Sequence, residues 1–126
     1  MCPLGKRLLT GEGGWLERTH ICCHCLLVEG RNGLILVDTG LGTGDVAFPR
    51  RLGLGFNLGM QPRLMMEETA LHQIRALGFD PRDVQHVVPT HLDLDHAGGL
   101  GDFPQAQVHV FEREHDAAMS RATLVE

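Results

Sequence analysis

One short stretch, residues 89–99, places the strongest constraint on this chain of 126 residues. It reads Pro-Thr-His-Leu-Asp-Leu-Asp-His-Ala-Gly-Gly, and an apolar run typical of a buried β-strand, residues 84–89, leads into it. Four of its side chains can ligate a metal ion: His91, Asp93, Asp95 and His96. Imidazole nitrogens and carboxylate oxygens suit zinc, iron or manganese. The sequence therefore predicts a metal site on a loop at the end of a strand.

The spacing of the four side chains indicates how they could converge. In an extended loop, side chains at alternate positions lie on one side, which groups His91, Asp93 and Asp95. His96 reaches the same cavity if the backbone turns, and the Gly98-Gly99 pair permits such a turn. The alternative is a polar loop whose acids cap a helix and whose histidines are solvated. Four donors at this spacing after a buried strand favour the metal site.

The stretch 90–99 resembles the His-x-His-x-Asp-His signature of the metallo-β-lactamase-fold hydrolases. The resemblance implies that His91 is a ligand of a first metal site and that Asp95 and His96 are ligands of a second. Asp93 stands where the signature usually has another histidine, and a carboxylate there is similar to the flavodiiron branch, which carries Glu. The implied cofactor is zinc, two ions in the full protein, with iron or manganese left open by Asp93.

A second segment with the same resemblance lies nearer the N-terminus. Residues 20–29 are predicted as a strand, and an Asn-Gly turn and a return strand at 34–37 complete a hairpin. The return strand ends in Asp38-Thr-Gly, as in the N-terminal part of that fold, where the aspartate lies close to the metal loop. We predict a structural role for Asp38 beside the metal ligands. The alternative is a local turn at the strand end.

The remaining elements follow from periodicity and from turn residues. They are a strand at 6–10, a helix at 67–77, a strand at 107–111 and a helix from 112 to about 120. The helix at 67–77 should pack on the sheet through Leu71 and Ile74. Residues 41–62 contain five glycines and are predicted as an irregular loop that serves as a flap or a substrate wall.

The resemblance extends from about residue 22 to residue 111 and implies an α+β fold. The expected architecture is the N-terminal half of an αββα sandwich, with a mixed or antiparallel sheet and helices on one side. In that family the other half supplies two further histidines and a metal-bridging aspartate, and none of these follows Val108. We therefore expect residues 1–126 to form one partial domain that is truncated at its C-terminus.

The composition of the chain narrows the range of partners that we expect. A net charge of −5 provides no basic surface for nucleic acid, and no apolar run reaches membrane-spanning length. All four cysteines lie within the first 25 residues without the paired spacing of a structural zinc site, which favours buried thiols in a reducing compartment over a thiol metal site. We expect a cytoplasmic protein that acts on a small molecule, with no nucleic-acid or membrane partner. A homodimer whose copies complete each other's sites stays open.

The sequence is compatible with two functions. The preferred one is a metal-dependent hydrolase that uses a metal-activated water on an ester, lactone, thioester or phosphoester, with Asp95 as the catalytic residue that orients the water. The isolated 126-residue chain should be inactive, because each metal site lacks at least one protein donor. The alternative is a non-catalytic metal-binding or interaction module, or an inactive fragment, which Asp93 and the missing half motivate.

Overall fold

The computed structural model describes residues 1–122, with side chains as far as Ser120. Its α-helices are α1 (Lys6–Thr10), α2 (Thr43–Ala47), α3 (Leu54–Met60), α4 (Ala70–Ala76), α5 (Leu94–Ala97) and α6 (Glu112–Ala122). Its strands are β1 (Leu26–Gly30), β2 (Gly33–Val37), β3 (Val84–Val88) and β4 (Gln107–Val108). Single turns of 3₁₀ helix lie at Pro49–Leu52, Met66–Glu68, Pro81–Asp83 and Gly98–Asp102. Within residues 1–122, no helix is long and apolar enough to cross a membrane.

The four strands form one mixed sheet in the order β1-β2-β3-β4. β1 and β2 are the predicted antiparallel hairpin, closed at the Gly30–Gly33 pair. β2 pairs with β3 in parallel, and β3 pairs with β4 in parallel. A parallel pair needs a long crossover connection, and residues 38–83, which contain α2, α3 and α4, provide it. The α+β class and the mixed sheet are confirmed.

The core lies between one face of the sheet and helix α4. Its sheet side is formed by buried residues of the two central strands: Leu34, Leu36, Val84 and Val87. Ile74 of α4 is only 2% exposed, and Leu71 packs against the same cluster, which confirms the predicted contact of this helix. The opposite face is open in the described part of the chain, where Leu26 is 60% exposed.

Three predicted elements differ near the N-terminus and in the crossover. Residues 6–10 form helix α1 instead of a strand, bracketed by Gly5 and Gly11 in left-handed conformations. The strand predicted at 20–29 begins only at Leu26. Residues 41–62 are also not irregular, because α2, a 3₁₀ turn and α3 occupy most of them.

Local contacts explain why the glycine-rich crossover is ordered. Asp45 is 3% exposed, and its carboxylate accepts a 3.0 Å hydrogen bond from the Gly42 N–H at the start of α2. Leu52 is buried to 4% exposure and anchors the following turn. Capping and anchoring of this kind offset the low helix propensity of glycine. The predicted irregular conformation is therefore wrong, and the role of the segment as a flap or a substrate wall stays a prediction.

The later elements agree with the predictions apart from their ends. Residues 67–77 begin with a 3₁₀ turn, and α4 itself starts after Thr69, whose side chain accepts a hydrogen bond from the His72 N–H. β4 comprises only two residues of the strand predicted at 107–111, while α6 starts at Glu112 as predicted.

Candidate metal centre

The parallel pairing of β2 with β3 builds the site. Because their C-terminal ends meet at one edge of the sheet, Asp38 follows β2 at the point where Thr90 follows β3. The Asp38 N–H donates to the Val88 carbonyl at 3.2 Å, which extends the pairing by one residue. The Thr90 N–H then donates to Asp38 Oδ1 at 2.7 Å, and the Thr90 hydroxyl lies 2.9 Å from Asp38 Oδ2. One carboxylate thus fixes the start of the metal loop.

Asp38 itself is buried and has an unusual backbone conformation. It is 5% exposed and has a φ of 56°, in the left-handed region that Asp and Asn tolerate better than most residues. Burial acts to raise the pKa of its carboxyl group. The hydrogen bonds from His96 and Thr90 outweigh burial and hold the pKa below its ordinary value. Asp38 is therefore an ionised acceptor at neutral pH.

His96 is oriented by this carboxylate. Its Nδ1 atom lies 2.9 Å from Asp38 Oδ2, and an ionised carboxylate can only accept, so the Nδ1 atom carries the proton. In the neutral ring the lone pair is therefore on Nε2, and this atom lies 3.6 Å from Asp95 Oδ2. A carboxylate behind a histidine in this way is the usual arrangement for a metal-ligating imidazole.

The alternation of side chains predicted from the sequence requires an extended loop. In the structure, the metal loop is extended only in part. Asp93 lies at the N-cap of α5, and its carbonyl accepts hydrogen bonds from the His96 and Ala97 N–H groups, both at 2.9 Å. Asp95 and His96 are consequently helical, so the predicted alternation is wrong from Leu94 onward. The helix is held in place by the segment that follows β2, since the Thr39 N–H donates to the His96 carbonyl at 2.8 Å.

The predicted ligands form two neighbouring pairs. His91 Nε2 lies 3.5 Å from Asp93 Oδ2, in a pair equivalent to that of His96 and Asp95. The rings of His91 and His96 are 4.0 Å apart between centroids. Among residues 1–122, no three or more histidine, cysteine or acidic side chains are arranged to hold one ion. Each pair therefore offers two donors of the right chemistry, and the assignment as ligands stays a prediction.

Two further residues contact this loop and were missed from the sequence. The Glu114 carboxylate, in the first turn of α6, accepts a 2.9 Å hydrogen bond from the Leu92 N–H between the two residues of the first pair. The Cys23 thiol lies 3.8 Å from Asp95 Oδ2. Burial and the Asp95 carboxylate raise the pKa of Cys23 to about 11, so the thiol is protonated. Neither contact has a local sequence signal, because both join distant segments.

The cysteines are free thiols in the described range. None of the four residues is fully buried, because Cys2 and Cys23 are half-buried and Cys22 and Cys25 are exposed, so the prediction of buried thiols is wrong. Partial burial of the Cys25 thiol still raises its pKa to about 11. The Cys2 thiol lies 3.2 Å from His20 Nδ1.

Fold and site together define the class of protein. A mixed sheet that presents two histidine–carboxylate pairs at its strand ends, with a buried aspartate behind one of them, is consistent with a metallo-hydrolase. The profile of the metallo-beta-lactamase superfamily matches residues 22–124, and the chain belongs to that superfamily.

Individual relatives are consistent with this assignment. A probable metallo-hydrolase of Mycobacterium bovis is 46% identical over 106 residues, which are 84% of this chain and 34% of the relative. An N-acyl homoserine lactonase of Bacillus thuringiensis is 33% identical over 98 residues, 77% of this chain and 39% of the relative.

A solved structure has the same fold. It is an N-acyl homoserine lactone hydrolase with the product N-hexanoyl-L-homoserine bound at its catalytic metal centre. It matches 94% of this chain and 48% of its own chain, with a TM-score of 0.75 and 28% identity. The present chain thus spans about a third to a half of the length of these relatives.

Proposed function

We propose that the protein to which this chain contributes is a metal-dependent hydrolase of lactones. The observation that carries the proposal is the orientation of His96. Its Nδ1 atom is tied to the buried Asp38, and its Nε2 lone pair lies beside the Asp95 carboxylate. A histidine with no functional role on a solvated loop would not need a buried carboxylate to select its tautomer.

The donor set fits a pair of divalent ions. His91 and Asp93 would hold one ion, and Asp95 and His96 would hold the other. Neutral imidazole and carboxylate are ligands that zinc accepts, and a site with two carboxylates also suits iron or manganese. When bound, such ions supply Lewis acidity toward a carbonyl oxygen and a water of lowered pKa.

The residues of this chain contribute orientation and proton handling. Asp38 keeps the proton on His96 Nδ1, so the lone pair of the other ring nitrogen, Nε2, is available to a metal ion. We propose that Asp95 acts as the catalytic residue, because its carboxylate can accept a proton from a water molecule and turn that water toward the substrate. The Cys23 thiol donates to Oδ2 of this carboxylate at 3.8 Å.

The substrate class is narrowed by the relatives. The sequence alone left esters, lactones, thioesters and phosphoesters open. The 33% identity to an N-acyl homoserine lactonase, and the structural match to a hydrolase with N-hexanoyl-L-homoserine bound, favour a lactone among these. The cytoplasmic location and the homodimer stay predictions of the same proposal, to be tested by cell fractionation and sedimentation.

We also propose that residues 1–126 form the N-terminal half of the complete domain. Two observations support this: the chain spans about half of the matched structure, and each histidine–carboxylate pair offers only two donors. A stable zinc site takes four ligands, or three and a water. The 126-residue chain alone should bind metal weakly and show negligible turnover.

The test is hydrolysis of N-hexanoyl-homoserine lactone by the full-length protein. We expect turnover that a chelator abolishes and that added zinc restores, and we expect Asp95→Asn and His96→Ala to abolish it. His115→Ala, which removes an exposed histidine on α6, is the matched control and should leave turnover unchanged. Turnover that survives both the chelator and Asp95→Asn would refute the mechanism.

Two further results would change the proposal in different ways. Stoichiometric metal without turnover on any ester or lactone would favour the non-catalytic module that Asp93 motivates. Full turnover from the monomeric 126-residue chain would overturn the half-domain proposal while leaving the hydrolase intact.

A further inference from the structure

The carboxylate of Asp95 has a partner whose role the proposed function does not explain. The Cys23 thiol lies 3.8 Å from Asp95 Oδ2, the same oxygen that lies 3.6 Å from His96 Nε2. A carboxylate can only accept a hydrogen bond, so the thiol is the donor. Such S–H···O contacts are weak individually, but this one acts on the residue to which the proposed function gives the catalytic role.

Strand pairing brings Cys23 to the metal loop. β1 is antiparallel to β2, so Leu26, the first residue of β1, pairs with Val37, the last residue of β2. Cys23, three residues before Leu26, therefore lies past the edge of the sheet at which the metal loop begins. Two backbone hydrogen bonds of 3.0 Å between Ile21 and Met1, one in each direction, hold the segment on its other side.

Both members of the pair of His96 and Asp95 then have a partner outside the pair. Asp38 orients His96, and Cys23 occupies the corresponding place beside Asp95. An aspartate side chain has several staggered rotamers, and Asp95 can share an ion with His96 only in a rotamer that turns its carboxylate toward the Nε2 atom. A donor that selects this rotamer before the ion arrives reduces the entropy lost on binding.

We propose that Cys23 is a positioning residue that holds the Asp95 carboxylate beside His96 for metal binding. This role rests on the proposed function, because it assigns Asp95 and His96 to one ion. Both contacting residues belong to this half of the domain, and neither has to be exposed, so the role does not depend on how the other half covers the sheet. The thiol is not itself a ligand, since no three histidine, cysteine or acidic side chains within residues 1–122 surround one point.

The first experiment measures the rotamer of Asp95 in the metal-free, full-length protein. Three-bond couplings between the α and β protons of labelled aspartate distinguish one fixed rotamer from an average over several. We expect a single rotamer in the wild type and averaging in Cys23→Val, which removes the S–H group but keeps the size of the side chain. Cys22→Val, at the adjacent exposed cysteine, is the matched control and should keep the single rotamer.

The second experiment measures metal affinity by titration of the full-length protein with Co²⁺, followed by visible absorption. Loss of a hydrogen-bond partner of a metal ligand typically weakens affinity 10–100-fold, and because a thiol is a weak donor we expect about 3–10-fold in Cys23→Val. Cys23→Asn has a longer side chain that carries an N–H donor, so it should retain most of the affinity. A role in packing alone predicts the reverse order, because valine matches cysteine in size.

The outcomes separate this role from the proposed function. A wild-type Asp95 that already averages over rotamers, or a Cys23→Val variant with the same rotamer and the same affinity, would overturn the role of Cys23 and leave the hydrolase intact. A sulfur-to-cobalt charge-transfer band that disappears in Cys23→Val would also overturn it, because the thiol would then be a ligand. A wild-type protein that binds no Co²⁺ would refute the metal site, and the role of Cys23 with it.

Discussion

The two histidine–carboxylate pairs of the metal loop differ in how firmly they are held. The pair of His96 and Asp95 is 26% and 21% exposed, and a buried carboxylate binds the back of its histidine at 2.9 Å. The pair of His91 and Asp93 is 38% and 59% exposed, and its histidine contacts the Thr90 hydroxyl at 3.1 Å instead. One motif therefore contains a rigid half and a more exposed half.

The difference shows where preorganisation comes from. His91 and Asp93 are two residues apart and Asp95 and His96 are adjacent, but neither spacing places a buried carboxylate behind the histidine, so the local sequence does not explain the contrast. What distinguishes the rigid half is Asp38, which lies 58 residues away in sequence and reaches His96 because β2 and β3 are parallel. A ligand positioned by a remote buried group loses less entropy when it binds an ion than one positioned by its own backbone.

Among the substitutions that test this contrast between the two pairs, Asp38→Ala should cause the largest loss of stability. Asp38→Ala leaves the Thr90 N–H and the His96 ring without their acceptor and forces alanine into a left-handed conformation. We expect a loss of about 2–4 kcal/mol in the free energy of unfolding. Urea unfolding of the metal-free protein measures it.

Asp38→Asn separates the effect of the lost carboxylate charge from the effect of the left-handed backbone conformation. Asparagine tolerates the left-handed conformation and has the same shape, so the loss of stability should be smaller than in Asp38→Ala. Metal affinity should still fall by about 10–100-fold, because the neutral amide no longer selects the tautomer of His96. Equal losses of stability in both variants would show that the charge, and not the backbone, dominates.

The two histidines should respond unequally to the same truncation. His96→Ala removes a hydrogen-bond partner of a buried carboxylate and should cost about 1–2 kcal/mol of folding free energy, whereas His91→Ala should stay within about 0.5 kcal/mol. Thermal unfolding without metal compares the two variants directly. Equal losses would contradict the contrast between the two halves.

Glu114 supplies the main fixed contact on the exposed half. Glu114→Ala should cost about 1 kcal/mol and should speed hydrogen exchange at the Leu92 amide, because that N–H loses its acceptor. Glu114→Gln keeps an acceptor and should restore most of the protection. Glu112→Ala is the matched control, since it removes a similar charge from the same helical turn. Equal exchange rates in Glu112→Ala and Glu114→Ala would exclude a specific contact.

The smallest effect is expected at a carboxylate outside the site. The hydrogen bonds from Arg82 lower the pKa of the exposed Asp80 from 3.8 to about 2. A lowered pKa contributes stability above 3.8 that is lost as the pH falls toward 2. Arg82→Ala should return the pKa of Asp80 toward 3.8 in an NMR titration, with little change in stability at pH 7. An unchanged pKa would show that Arg82 is not the cause.

The sequence predicted those parts of the fold that have strong local signals. The Asn-Gly hairpin, the strand at 84–88 and the apolar stripe of α4 all depend on short-range patterns, and the structure confirms them. α2 and α3 escaped prediction because glycine disfavours helices, and contacts such as the Asp45 hydrogen bond and the burial of Leu52 compensate for it.

The residues of the candidate site also divide into those with a local sequence signal and those without one. Its four predicted ligands come from one contiguous motif, and the resemblance to a family indicated the position of Asp38. Glu114 and Cys23 reach the loop from 22 and 72 residues away, so no local pattern could indicate them. The helical turn at Leu94–Ala97 also depends on contacts from Thr39, which a reading of the loop alone does not include.

The most direct test of the preorganised half is the tautomer of each histidine in the metal-free protein. Long-range ¹H–¹⁵N NMR spectra of the imidazole rings distinguish a proton on Nδ1 from one on Nε2. In its neutral form His96 should carry its proton on Nδ1, with the lone pair on Nε2, and Asp38→Asn should abolish that preference. If His96 carries its proton on Nε2, or if its spectrum is unaffected by Asp38→Asn, then Asp38 does not prepare the metal ligand.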